Sequence, residues 1–177
     1  MKQSDLSALQ RRNEILAAAL DCFLKFGFQK TSLEDIAKAA RISRPLIYVH
    51  FKNKEDIFEA SFNYLIGDSH EKAKAIVDSK SSKKEKLIGI FQVLVLEPWK
   101  QLSGKPMEEE FYNTCGVLFP ETSARHEAYF LKCATTILGD KNEAEVLSLS
   151  AAGLHADLPT PSVLQKRFAL LTAKFVD

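Results

Sequence analysis

The sequence predicts an all-α fold in two parts, with about nine helices in total. Three observations carry that prediction. Apolar residues recur three and four positions apart along almost the whole chain, which sets them on one face of successive helices. Capping residues with acids a few positions later open several of those stretches, and glycine or proline closes them. Strand-type alternation is absent over any useful length.

The first helix is expected from about Ser7 or Ala8 to Lys25 or Phe26, after a frayed start over residues 1–7. Ile15, Ala19, Cys22, Phe23 and Phe26 make its inward stripe, and Gly27 ends it. A capping box of Thr31 or Ser32 with Glu34 or Asp35 opens the second helix, whose apolar face is Ile36, Ala37 and Ala40. Ser43 caps the third. Pro45 follows in its first turn, where a missing N–H is tolerated. Ile47 and Phe51 lie four apart and face inward, which leaves Arg44, Leu46, Tyr48, Val49 and His50 on the other sides. A fourth helix opens near Asn53 or Lys54, with Glu55 and Asp56 in its favourable first turn. Its apolar face is Ile57, Phe58, Phe62 and Leu65, and Gly67 marks its end. A boundary near residues 65–70 divides the chain into parts at 1–66 and 67–177.

The second part reads as helices throughout. His70 to Asp78 is short and amphipathic, and residues 79–84 form a polar loop with a capping serine. Leu87, Ile90, Phe91, Leu94 and Val95 follow at helical spacing until Pro98, which should interrupt the helix. Gly104 and Pro106 punctuate the next segment. Glu108 to Cys115 is a short helix bounded by Gly116 and Pro120, and a longer one runs from about Glu121 to Leu138. Asn142 caps a helix reaching about Ala156, with Ala144, Leu147, Ala151 and Leu154 on one face. Thr160 caps the last, with Pro161 at its first position and Val163, Leu164, Phe168, Leu171 and Phe175 as its stripe.

Composition excludes several classes. With 46% hydrophobic and 27% charged residues, the chain is ordinary for a soluble globular protein. No apolar run could span a bilayer, and residues 1–12 lack the apolar stretch of a secretory signal, so a cytoplasmic location is expected. Cys22, Cys115 and Cys133 are odd in number and far apart, which argues against a disulfide framework. His50, His70, His126 and His155 make no pair at ligand spacing, so neither a metal nor a cofactor is expected. No HExxH, GxSxG or helix-opening glycine loop is present. An enzyme using Cys115 and His126 is a remote alternative, since Cys115 has no basic neighbour in sequence to activate it.

The formal net charge of +1 divides as +2 over residues 1–65 and −1 over 66–177. That contrast is small. The local pattern says more: no acid lies between Asp35 and Glu55, while Lys38, Arg41, Arg44, Lys52 and Lys54 do, with Tyr48 and His50 among them. A short helix with Ile47 and Phe51 buried and a basic rim suits the major groove of duplex DNA, which admits one α-helix. Charge alone leaves open a solvated basic face on an ordinary helical pair.

The order of residues adds a resemblance. Ile42-Ser43-Arg44-Pro45-Leu46-Ile47-Tyr48-Val49-His50-Phe51-Lys52-Asn53-Lys54-Glu55 resembles the recognition helix and following turn of the tetracycline-repressor (TetR) family of transcription regulators. Phe26-Gly27-Phe28 and Thr31-Ser32-Leu33-Glu34-Asp35-Ile36-Ala37 fit the same pattern upstream. The resemblance covers about the first 60 residues. Arg41 departs from it, standing in the turn where the family usually has glycine.

The resemblance implies an N-terminal helix-turn-helix DNA-binding domain, with a recognition helix over about 43–51, and a C-terminal ligand-binding and dimerisation domain. Thr31 or Ser32, Tyr48, His50 and Lys54 would bond phosphates. Arg44, Pro45, Leu46 and Val49 would face base edges, with Leu33 reaching from the preceding helix. Arg44 is the best candidate for specificity, because guanidinium bonds guanine O6 and N7 together. The implied partners are double-stranded operator DNA, a second copy of the chain and a small-molecule effector of unknown identity, with no membrane. A homodimer would read a palindrome, with Leu147, Ala151, Leu154, Leu164, Phe168, Leu171 and Phe175 at its interface. Packing within one chain is the alternative for those stripes. Phe91, Trp99, Phe111, Tyr112 and Tyr129 would line a pocket, although plain core packing suits each singly. The function implied is a repressor released by a small hydrophobic ligand, with a DNA-binding dimer that senses nothing as the alternative.

Overall fold

A computed structural model describes the backbone of residues 3–176 and the side chains of residues 7–176. All regular structure among the described residues is helical. The chain divides into two compact units. The first comprises residues up to Leu65 together with Lys105–Pro120, and the second Ile66–Gly104 with the chain from Glu121 onward.

The first unit begins with α1 (Gln3–Phe26). It starts earlier than expected, because no glycine or proline from Gln3 to Ser7 stops it. The first two positions of the expected frayed start lie outside the described residues. Ile15, Ala19, Cys22 and Phe23 are buried as the stripe requires. Phe26 is a correction: it is exposed at the helix end, with the Lys25 Nζ 5.1 Å from its ring. Then come α2 (Leu33–Ala39), α3 (Arg44–His50) and α4 (Lys54–Ile66). Phe23, Phe28 and Phe58 meet ring to ring at 4.9–5.9 Å and form the centre of the core.

One more helix belongs to this unit. It is α8 (Glu108–Leu118), which runs through Gly116 where an end was expected. Phe111 packs on Phe58 at 4.8 Å, and the Met107 N–H donates to the Leu24 carbonyl. The Glu110 carboxylate accepts from the Phe28 N–H at 2.8 Å. Gly27, at φ +83°, makes that approach possible: a Cβ there would lie 2.5 Å from Glu110 Oε2.

The second unit holds α5 (Ser69–Asp78), α6 (Lys83–Phe91), α7 (Glu97–Leu102), α9 (Pro120–Leu138), α10 (Lys141–Gly153) and α11 (Pro161–Thr172). Ser82 and Glu85 close a capping box at the start of α6. α10 is capped by Asp140 rather than Asn142, its side chain accepting from the Glu143 N–H. The break expected at Pro98 does not occur. A π-helical turn over Gln92–Leu96 carries α6 into α7, with the Glu97 N–H reaching back to the Gln92 carbonyl. Pro98 has no N–H to offer Leu94, and the His126 Nε2–H bonds that carbonyl instead, at 2.8 Å. That bond fixes the tautomer, so His126 Nδ1 accepts from His70 Nε2–H at 2.9 Å. Tyr129 lies flat on His70 at 4.1 Å and donates its hydroxyl to the His70 carbonyl. The fold thus brings together two histidines that sequence spacing keeps apart.

The stripes of α10 and α11 form the core of this same unit. Leu147, Ala151, Leu164 and Phe168 are fully or almost fully buried, and Leu154, Leu171 and Phe175 pack against them. Leu147, Ala151, Leu164 and Phe168, expected at a dimer interface, are thus covered by their own chain and have no apolar area left for a partner, whereas Leu154, Leu171 and Phe175 stay partly exposed. The same helices turn Val146, Leu149, Val163 and Leu170 outward, with Leu149 77% and Leu170 71% exposed.

Candidate nucleic-acid interface

The interface is built on α2 and α3. Ser32 is the residue of the Thr31–Ser32 pair that caps α2, and its box partner is Asp35. Hydrogen bonds from Ser32, first its hydroxyl and then its N–H, hold the Asp35 carboxyl below the usual carboxylate range. The turn between the helices carries Arg41 at φ +56°. A side chain there costs about 1–2 kcal/mol. Two backbone bonds offset it, from Arg41 N–H to the Lys38 carbonyl and from Ile42 N–H to the Ala37 carbonyl. Arg41 thus stands in a left-handed conformation that a glycine would adopt without that cost.

Seven residues make a helix too short to hold its own geometry. α3 is fixed by Ile47, which is fully buried, and by Phe51, where the chain turns extended. Burying Ile47 contributes about 1.5–3 kcal/mol. The opposite face is left open. Arg44 and Pro45 are exposed, Tyr48 is 51% and Val49 73% exposed, and Leu46 and His50 are half-buried. Arg44 Nη2 lies 3.4 Å from the Tyr48 hydroxyl, a long contact that leaves most guanidinium donors for other partners. Leu33 is half-buried at the start of α2.

Two expected phosphate contacts are placed differently. Thr31 is 1% exposed, and its hydroxyl donates to the Gly27 carbonyl at 2.7 Å. It serves the loop after α1, and only Ser32 of the pair reaches the surface. Lys54 Nζ donates to the carbonyls of Phe28 at 2.8 Å and Thr31 at 3.1 Å, with Gln29 at 3.4 Å. It also lies 4.4 Å from the Phe28 ring centroid. An ammonium has three donors, so Lys54 is committed to tying the 28–31 loop to the start of α4.

Sequence spacing gave no sign of Arg12. Its Nη1 donates to the His50 carbonyl at 2.7 Å, and its guanidinium carbon stands 4.2 Å over the Phe51 ring. A period-based reading marks which α1 residues face inward but not which long side chain bridges to a helix 38 positions away.

The aromatics expected to line a pocket are divided between the units. Phe91 is buried and stacked on Phe168 at 3.7 Å. Trp99 is buried, its Nε1–H donating to the Pro159 carbonyl at 2.9 Å. Tyr129 belongs to the histidine cluster of the second unit. Phe111 packs in the core of the first unit, and Tyr112 is exposed there.

A model of the bacterial regulatory proteins of the tetR family matches residues 15–61, which span the second half of α1, all of α2 and α3 and the larger part of α4. The transcriptional regulator AcrR of Shigella flexneri is 34% identical over 106 residues, covering 57% of this chain and 49% of AcrR. TtgR of Pseudomonas putida is 31% identical over 102 residues, covering 55% of this chain and 49% of TtgR. The chain thus spans about half the length of the curated relatives it matches. In fold it is similar to SmeT, the repressor of the Stenotrophomonas maltophilia multidrug efflux pump SmeDEF, with a TM-score of 0.69 at 20% identity over 94% of this chain and 90% of SmeT. SCO4454, a TetR-family regulator from Streptomyces coelicolor, superposes with a TM-score of 0.66 at 16% identity over 99% of this chain and 94% of SCO4454. Over residues 15–61, which hold the turn and the open face of α3, the chain matches the tetR family of bacterial regulatory proteins, and its helical fold is similar to those of SmeT and SCO4454.

Proposed function

We propose that this chain is a sequence-specific DNA-binding transcriptional regulator, acting as a homodimeric repressor that a small hydrophobic ligand releases from a palindromic operator. One observation carries the DNA reading. α3 is anchored by Ile47 on one side and exposes Arg44, Pro45, Tyr48 and Val49 on the other, in a stretch free of acids. Arg44 reads a guanine. Ser32, Tyr48 and His50 bond phosphates and set the register. Leu33, Pro45, Leu46 and Val49 supply apolar contacts, for instance with thymine methyls. The head is residues 1–66, and residues 67–177 carry dimerisation and effector response. Val146, Leu149, Val163 and Leu170, the outward residues of α10 and α11, are the dimer face. No helix among the described residues is long and apolar enough to cross a membrane, and a cytoplasmic site of action accords with duplex DNA as partner.

The test is selection from random duplex DNA with the whole chain, repeated with Arg44→Ala. A palindromic site is expected, with preference relaxed by about 1–3 kcal/mol at one symmetric position in the variant. An equal loss on every sequence would remove Arg44 as the reading residue.

One observation favours the second reading, a DNA-binding dimer without a ligand response. Phe91 and Phe168 stack at 3.7 Å in the core of the second unit, where an effector would otherwise find apolar room. Calorimetry of the chain against hydrophobic small molecules separates the two. Heat of binding together with weaker operator affinity supports the sensor, and neither supports the plain dimer.

A further inference from the structure

We infer that Arg12 is a positioning residue for DNA reading: it grips the end of the recognition helix from α1 and bonds no phosphate. The inference rests on the reading of α3 given above. His50 is the last residue of α3, and its carbonyl is among those that no helical N–H can satisfy. Arg12 Nη1 supplies the missing donor at 2.7 Å. A cation at that end also meets the negative pole of the helix. Its guanidinium carbon stands 4.2 Å over the ring of Phe51, the residue at which the chain leaves the helix. One planar group therefore holds both the last carbonyl and the anchoring ring. An ammonium on the same site would have no flat face to lay on the ring.

The neighbouring arginine shows the contrast. Arg11 Nη1 pairs with Glu14 at 2.6 Å on the exposed side of α1. Arg12 instead faces α3. It stands outside residues 15–61, so the matched family pattern does not assign it. A seven-residue helix has little geometry of its own, so the pitch at which α3 meets base edges depends on such anchors. A basic residue near a DNA-reading helix would by default be counted as a phosphate contact, and the two roles differ in salt dependence. A phosphate contact contributes about one unit to the salt slope and acts on all sequences alike, whereas a strut does neither.

The experiment uses the whole chain with Arg12→Lys and Arg12→Ala. Fluorescence anisotropy measures binding to the duplex selected by the unaltered chain and to a scrambled duplex, over a series of salt concentrations. Hydrogen exchange follows residues 44–53 without DNA. Arg12→Lys, which keeps the charge, is expected to weaken the selected duplex roughly 10-fold and leave the scrambled duplex and the salt slope unchanged. Exchange over 44–53 should quicken in both variants, while residues 83–102 stay protected. A lower salt slope for Arg12→Ala, with equal loss on both duplexes and full strength in Arg12→Lys, would make Arg12 a phosphate contact and overturn the inference. Unchanged exchange over 44–53 would overturn it as well. If the unaltered chain selects no duplex, the DNA reading has failed, and the exchange result alone decides whether Arg12 holds α3.

Discussion

Gly27→Ala is expected to destabilise the first unit by about 2.5–5 kcal/mol, through two separable effects. The first is local. Gly27 stands at φ +83°, and a Cβ in that region costs about 1–2 kcal/mol. The second comes from α8. The new Cβ would lie 2.5 Å from Glu110 Oε2 and 2.7 Å from Oε1, so the carboxylate must leave. Its departure breaks the 2.8 Å bond from the Phe28 N–H, a charge-assisted contact of about 1.5–3 kcal/mol. Glu110→Ala alone loses only that bond. In the double variant the bond is already gone and nothing blocks the Cβ, so its loss should match Gly27→Ala alone. The single variants then sum to about 4–8 kcal/mol against about 2.5–5 for the pair, a coupling of about 1.5–3 kcal/mol. Urea unfolding followed by far-UV circular dichroism measures all four proteins. Additivity within about 0.5 kcal/mol would refute the reasoning. It would mean that Glu110 is not held against the Gly27 backbone.

Leu149→Glu and Leu170→Glu should each give a monomer in sedimentation velocity with little change in helix content. Leu147→Ala should lower stability by about 2–5 kcal/mol, because that residue lies in the core; a dimer that survives both glutamates would remove this face as the interface. Burial holds His70, His126 and His155 below their ordinary pKa. The unfolded chain therefore takes up protons first, so the second unit keeps its full stability above about pH 6.5 and loses it as pH falls through the lower folded values. Thermal melts read by the fluorescence of Trp99, the one tryptophan, should fall from pH 8 to pH 5 and fall less in His70→Gln/His126→Gln; a flat profile would contradict this. Burial pushes the Cys115 thiol up to about 12, so native alkylation at neutral pH should be no faster than unfolding permits. Rapid, selective labelling of Cys115 would reopen an enzymatic reading.

Much of the reading face was legible in the sequence because it is local. The capping box, Pro45 in the first turn of α3 and the four-residue step from Ile47 to Phe51 set the two short helices and the side that faces out. Exposure of Arg44, Tyr48 and Val49 follows from that step alone. The Thr31–Ser32 ambiguity was also local, yet only packing resolved it, since either hydroxyl can cap and just one is turned inward by the loop after α1. Pro98 was read as a break because proline removes a helical bond. The chain kept its helix by widening one turn and letting His126, from another helix, take the freed carbonyl.

Helical spacing, then, determined which residues share a face, where helices start and which side of α3 is open. It could not say what covers a face. The stripes of α10 and α11 read the same whether they meet a second copy or their own chain, and tertiary packing chose their own chain. Nor could spacing say where a long charged side chain ends. Arg12 and Lys54 reach carbonyls 38 and 26 positions away, and Glu110 reaches an N–H 82 positions away. An amphipathic period records burial one helix at a time, whereas a partner is fixed only when distant parts of the chain meet.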